Sequence, residues 1–167
     1  MQICFSVVLL KLTPNTSPKR LDLCCLIDGL GSGGAQRQMV RLVNALAVLG
    51  HRIRLITYFP DLDHFLSEID LSRVEVISQR SKSKTTRLLS IRRTIRSSPP
   101  DCIISFLDTP NIIAIASSFG AKPIPVIVSE RSYSLSGVNT ATWVRFNTFR
   151  WASKIVTNSF AQAQFIT

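Results

Sequence analysis

Short apolar runs alternate along this chain with longer stretches whose apolar positions recur every three or four residues. That is the pattern of an α/β domain whose mainly parallel sheet is buried on both faces. The runs predict strands at Leu21–Asp28, Ile53–Tyr58, Val74–Ile77, Cys102–Leu107, Pro125–Ser129 and Lys154–Thr157. The periodic stretches predict helices over Gln36–Leu49, Thr86–Arg96, Asn111–Phe119 and Thr140–Ala152, and a last one beginning near Ala161. In the first helix Met39, Val40, Val43, Leu46 and Ala47 share one face while Arg37, Arg41 and Asn44 fall elsewhere, and Gly50 is a suitable stop. Pro99-Pro100 ends the second, because proline cannot continue a helix and biases the preceding residue away from helical angles. The fold class that follows is a Rossmann-like three-layer sandwich over residues 21–167, preceded by a flexible extension over residues 1–20. Right-handed crossovers would bring every strand's carboxyl end to one rim, where open α/β sheets bind their ligands.

One junction on that rim carries chemistry. Asp28-Gly29-Leu30-Gly31-Ser32-Gly33-Gly34-Ala35 joins the first strand to the first helix. Glycine lets backbone approach a ligand closely, and a helix N-terminus offers unpaired N–H groups to an anion, so the bend suits a phosphate or a sugar. Gly29, Gly31 and Gly34 also satisfy the spacing of the dinucleotide fingerprint. That reading needs an acidic residue near the end of the second strand to hold a ribose, and Thr57 and Tyr58 stand there, with Asp61 arriving only after Pro60. Gly29 and Gly31 can equally serve the turn alone, and His51 reads as packing beside a helix C-terminus.

Composition narrows the partners. A formal charge of +10 draws the surface toward something negative: phospholipid headgroups, nucleic acid or a phosphorylated substrate. Arg80, Lys82, Lys84, Arg87, Arg92, Arg93 and Arg96 run on without an acidic residue, and Trp143, Phe146, Phe149 and Trp151 cluster near Arg145 and Arg150. Such surfaces suit an anionic membrane face, the competing reading being a solvated helix face with core aromatics. No base-reading module is visible, so no nucleic acid partner is expected. Cys4, Cys24, Cys25 and Cys102 lack a C-x-x-C spacing and sit mostly in apolar runs, which predicts buried free thiols and no metal site. Ile3 to Leu10 is too short to cross a bilayer and no positive charge precedes it, so a cytoplasmic location is expected, peripheral to the inner face of the membrane if the basic surface is used.

The string from Gly33-Gly34-Ala35 through Asn44-Ala45-Leu46 to Gly50-His51 resembles the opening of family 4 glycosyltransferases of the GT-B fold. The resemblance continues in Pro100–Leu107, Pro125–Ser132 and Ala152–Ser159, and so covers about residues 21–167. It implies the N-terminal, acceptor-side half of an enzyme that moves a sugar from a nucleotide-sugar to a lipid-linked or polysaccharide acceptor, retaining configuration and needing neither metal nor cofactor. By resemblance Gly33 and Gly34 form the donor-phosphate loop, and Asp108, Thr109, Asn111, Ser129, Glu130 and Arg131 contact acceptor or donor. Glu130 stands where many family members carry a histidine, and so becomes the candidate catalytic group. Family members also carry a C-terminal donor-binding domain with two glutamates separated by seven residues, a spacing that Glu68, Glu75 and Glu130 do not provide. The chain alone is therefore expected to be inactive, its donor domain supplied in cis or in trans. An acceptor-binding subunit of a two-chain transferase and an NAD-dependent oxidoreductase domain are the alternatives.

Overall fold

The computed structural model describes residues 19–81, 83–130 and 147–157. Each apolar run becomes a strand, its ends displaced by two residues at most: β1 Asp22–Leu26, β2 Arg52–Thr57, β3 Val74–Ser78, β4 Cys102–Phe106, β5 Val126–Glu130 and β6 Lys154–Thr157. All pairings are parallel, in the order β3-β2-β1-β4-β5-β6. Chain progression therefore reverses direction between β1 and β4, and the carboxyl ends of those two neighbours define the crevice of a doubly wound sheet. The expected Rossmann-like α/β class is the one found. Within the expected Thr140–Ala152 helix, Asn147–Phe149 is helical, while residues 140–146, the helix near Ala161 and the extension over 1–18 lie outside the described residues.

Three helices, α1 Gly34–Val48, α2 Lys84–Ser97 and α3 Asp108–Ser118, each begin two or three residues before the expected starts at Gln36, Thr86 and Asn111. The reasons differ. Gly33 is the N-cap of α1 in extended conformation, its carbonyl accepting the first helical bond from Arg37 N–H at 3.1 Å. Ser83 and Thr86 form a reciprocal capping box that starts α2. Pro110 falls inside the first turn of α3, where a missing N–H costs nothing.

Two cores flank the sheet. Leu23, Cys25, Ile27, Ile53 and Leu55 meet Met39, Val40 and Val43 of α1 on one face; Cys24, Leu26, Ile56 and Ile103 meet Ile91 and Ile95 of α2 and Ile113–Ile115 of α3 on the other. Cys24 and Cys25 are buried free thiols, as expected, and burial pushes Cys24 up to about 12, so it stays protonated at neutral pH. Among the described residues no group of three His, Cys, Asp or Glu side chains could hold a metal ion. At the amino edge of the sheet a charged pair is enclosed: Arg54, with 4% of its side chain exposed, donates through Nε (3.3 Å) and an Nη (3.0 Å) to Asp22 Oδ1. Asp22 Oδ2 also accepts from Arg52 at 3.3 Å.

The basic run of α2 is partly spent inside the fold. Arg92 donates to the carbonyls of Ala116 and Phe119, and Arg96 to those of Ser117, Ser118 and Lys122. These are the last carbonyls of α3 and the turn beyond, which have no intrahelical donors, and the cations also meet the negative end of the helix dipole. Arg80 pairs with Asp61 at the surface. A uniform solvated basic face on α2 is thus replaced by a packed one, leaving Lys84 and Arg93 exposed without a role inside the fold.

Leu107, between β4 and α3, has φ 76° and ψ 156°, a region that essentially only glycine populates. Gly is accordingly expected to be better tolerated than Ala at this position, by about 1 kcal/mol, the reverse of the usual order. Urea unfolding of Leu107→Gly and Leu107→Ala measures the difference, since both lose the same side-chain packing.

Candidate functional site at the carboxyl rim

The glycine bend is two structures in series. Its first part is backed by the loop that follows β2: Leu30 N–H donates to the Leu62 carbonyl (2.5 Å) and Phe65 N–H to the Leu30 carbonyl (2.9 Å), with Leu30 itself buried. A Cβ on Gly29 would meet Leu62 Cβ at 2.8 Å and the Phe59 carbonyl at 2.9 Å, so this glycine exists for close approach of the chain to itself. Gly29→Ala should cost about 1–3 kcal/mol by overpacking, read as a lower urea midpoint. Gly31 has only ordinary contact with Leu62.

The second part opens outward. Ser32, Gly33 and Gly34 are exposed; a Cβ on Gly34 would meet nothing within 4 Å, and one on Gly33 would meet first the flexible Gln36 side chain. The start of α1 has no side-chain cap and no acidic residue in its first turn. Asp28, closing the preceding apolar run, turns its carboxylate back: Oδ1 accepts from Gly29 N–H at 2.7 Å and from Gln36 Nε2 at 3.2 Å. What faces solvent is a run of backbone with free access and the positive end of a helix dipole, the arrangement that receives an anionic oxygen.

Two arginines flank this rim on aromatic supports. Arg37, in the first turn of α1, lies over the Phe65 ring at 5.1 Å. Arg87, in the first turn of α2, lies over Tyr58 at 4.4 Å and Phe59 at 4.8 Å, and its buried Nε has no partner among the described residues. Neither guanidinium forms an ion pair among the described residues. Aromatic faces hold such cations without neutralising them, and both rest on the loop that also braces the glycine bend. Burial, followed by the nearby Asp28 carboxylate, raises the Tyr58 phenol above its ordinary value, so it remains a neutral donor. Sequence reasoning assigned Arg37 to the polar side of α1 and Arg87 to a basic run. The signal that links them is an aromatic residue at each end of the loop after β2, Phe59 and Phe65.

The other sequence-derived positions divide. Asp108 and Thr109 are not in a loop after β4; they open α3, beside the mouth of β1, because the helix starts ahead of Pro110. Asn111 does not face the crevice. Its side chain is fully buried, accepting from Ser105 Oγ at 2.7 Å and donating to the Ser129 carbonyl at 3.1 Å. It therefore ties β4, β5 and α3 together, and a contact with acceptor or donor is not open to it. Ser129 is buried as well, in register with Phe106. Glu130 closes β5 opposite Thr157 of β6, which brings its backbone to the same rim, and Arg131 lies outside the described residues. His51 is structural, its Nδ1 accepting from Leu21 N–H at 3.3 Å.

The end of β2 has no carboxylate poised for a ribose. Thr57 shares a hydrogen bond with Ser78 at 3.0 Å, Tyr58 is buried, and Asp61 is engaged by Arg80. The nicotinamide alternative loses its main anchor on this geometry.

Residues 32–167 match Glycosyltransferase Family 4. A GalNAc-alpha-(1->4)-GalNAc-alpha-(1->3)-diNAcBac-PP-undecaprenol alpha-1,4-N-acetyl-D-galactosaminyltransferase of Campylobacter jejuni subsp. jejuni serotype O:2 is 32% identical over 119 residues, 67% of this chain and 33% of that protein. The chain thus spans about a third of that relative's length. Among solved structures, CalG4, the calicheamicin glycosyltransferase, is similar at a TM-score of 0.49 and 16% identity over 89% of this chain and 44% of its own. That likeness is too distant to support a functional argument.

Proposed function

From the premise that the chain belongs to glycosyltransferase family 4, we propose that it is the acceptor-side half of a GT-B enzyme, transferring a sugar from a nucleotide-sugar to a lipid-linked acceptor. The observation that carries this reading is the open Ser32–Gly34 turn at the point where strand order reverses, ahead of an uncapped helix start. Charge builds on the leaving diphosphate as the glycosidic bond to the donor breaks, and preorganised N–H donors with unpaired cations stabilise that charge more than they stabilise the bound donor. Gly33 and Gly34 supply backbone at that point, and Arg37 and Arg87 supply positive charge. Transfer is proposed to retain configuration and to need neither metal nor cofactor. Glu130, Arg131, Asp108 and Thr109 are proposed to contact acceptor or donor, Asp108 and Thr109 from the first turn of α3.

An undecaprenol-linked acceptor is favoured over a free polysaccharide because the related transferase of Campylobacter jejuni is named for one. The isolated chain is proposed to be inactive, its donor-binding half lying in the same polypeptide or in a partner. No helix among the described residues is long and apolar enough to cross a membrane, and a cytoplasmic protein peripheral to the inner membrane face is the proposed location.

The test is transfer of radiolabel from a panel of uridine diphosphate sugars to an undecaprenyl-diphosphate oligosaccharide, using the chain alone and joined to a family donor-binding half. Incorporation is expected only in the joined form. Label transferred by the chain alone would overturn its proposed incompleteness, and no incorporation from any donor with either form would overturn the transferase reading.

A further inference from the structure

The positive charge of this protein is not spread evenly. Residues 80–167 contain twelve of its 20 lysines and arginines but only three of its ten acidic side chains, Asp101, Asp108 and Glu130. Within this cationic part an aromatic pair is exposed: Phe119, just past α3, and Trp151, before β6, meet edge to face with centroids 5.5 Å apart and are 42% and 62% exposed. They border an open groove of about 410 Å³ whose other walls are Ile112, Ile115, Ala116, Asn147 and Thr148. Lys122, Arg150 and Lys154, all exposed, lie within three residues of one ring or the other in sequence.

We propose that this groove and its ring pair form a seat for an anionic phospholipid bilayer, Phe119 and Trp151 entering the headgroup boundary while Lys122 and Arg150 meet lipid phosphates. Apolar rings with exposed cations and no acid within three residues of either in sequence match an interface that is apolar inside and negative outside. A second copy of the same face would bring these cations against themselves, which disfavours a symmetric dimer. A nucleic-acid strand would want ring faces presented as platforms, whereas here each ring covers part of the other.

The architecture holds the seat in place. Arg92 donates to the Phe119 carbonyl, and Arg96 reaches Ser117, Ser118 and Lys122, so the segment carrying Phe119 is pinned by α2. The seat and the glycine rim lie at opposite ends of α3, whose 11 residues span about 16 Å at the usual rise. This deepens the lipid-linked-acceptor reading and rests on it for its purpose: an acceptor hydroxyl standing some sugars out from its lipid could reach the rim while the seat stays on the bilayer.

The test uses the 167-residue chain with phosphatidylglycerol–phosphatidylcholine vesicles at low salt. Binding is measured by sedimentation, and in a Trp143→Phe background by the blue shift of Trp151 emission. The Phe119→Ser/Trp151→Ser pair and, separately, the Lys122→Glu/Arg150→Glu pair are each expected to weaken binding roughly tenfold or more, with circular-dichroism melting unchanged because all four side chains are exposed. No retention of the parent chain on anionic vesicles would overturn the proposal, as would retention indifferent to the aromatic pair. A concentration-dependent dimer abolished by that pair, without vesicle binding, would also overturn it and assign the face to a second copy. With the chain joined to a donor-binding half, loss of vesicle binding with sugar transfer intact in detergent would support the seat, and failure of transfer in that joined form with vesicle binding intact would count against the transferase reading alone.

Discussion

Asp22→Ala is expected to lower the stability of this domain by about 3–5 kcal/mol, the range for stranding one partner of a buried ion pair. The size follows from where Arg54 sits. Only 4% of its side chain is exposed, and its Nε and one Nη both donate to the same Asp22 oxygen, at 3.3 and 3.0 Å. Removing the carboxylate leaves a charge that cannot neutralise itself, because arginine does not lose its proton in proteins. The exposed Arg52–Asp22 contact, by comparison, contributes little. In a domain of this size each kcal/mol moves the melting temperature by roughly 2–4 °C, so a fall on the order of 10 °C should be seen by calorimetry. The compensating variant discriminates the cause: Asp22→Ala/Arg54→Met, which removes both charges and keeps an apolar stem, should recover most of the loss. If the double variant is no more stable than Asp22→Ala, the penalty comes from backbone or packing and the stranded-charge account is wrong.

Much of the fold was legible because parallel strands are buried on both faces and therefore read as nearly continuous apolar runs. All six lie within two residues of their expected positions, and β6 matches at both ends. Helix starts were less legible, since apolar periodicity reports the buried face and the first turn need not bury anything. In α1 and α3 the missing residues were Gly34 and Ala35, and Asp108 to Pro110, respectively. What could not be read at all was how segments distant in sequence use each other's groups. Arg92 and Arg96 looked like a solvated charge run until α3 placed its last carbonyls beside them. Asn111 looked like a ligand contact because it follows a strand end at the rim. One turn into the helix, however, a side chain points into the layer between α3 and the sheet, where Ser105 and the Ser129 carbonyl take it up. The glycine bend illustrates both limits: the spacing of its glycines was visible, but only the loop after β2 distinguishes Gly29, which is covered, from Gly34, which is open.

That distinction supplies the sharpest test of the proposed function. Gly34→Val, introduced into the chain joined to a donor-binding half, is expected to lower kcat/KM for the nucleotide-sugar about a hundredfold, the scale associated with displacing a reacting group by an ångström or removing a preorganised donor. The fold should not notice. A Cβ at this position meets nothing within 4 Å, its φ is not in the left-handed range, and it lies at the first residue of α1, where a side chain faces solvent. Melting temperature should therefore stay level, in contrast to Gly29→Ala, whose Cβ collides with the loop from Phe59 to Leu62 and whose deficit is expected first in stability. Gly34→Ala should fall between parent and valine in activity, because the added volume intrudes on the space a diphosphate oxygen would occupy in proportion to its size. Wild-type kcat/KM in a stable Gly34→Val enzyme would show that no diphosphate approaches this turn, and the catalytic assignment of the bend would have to be given up.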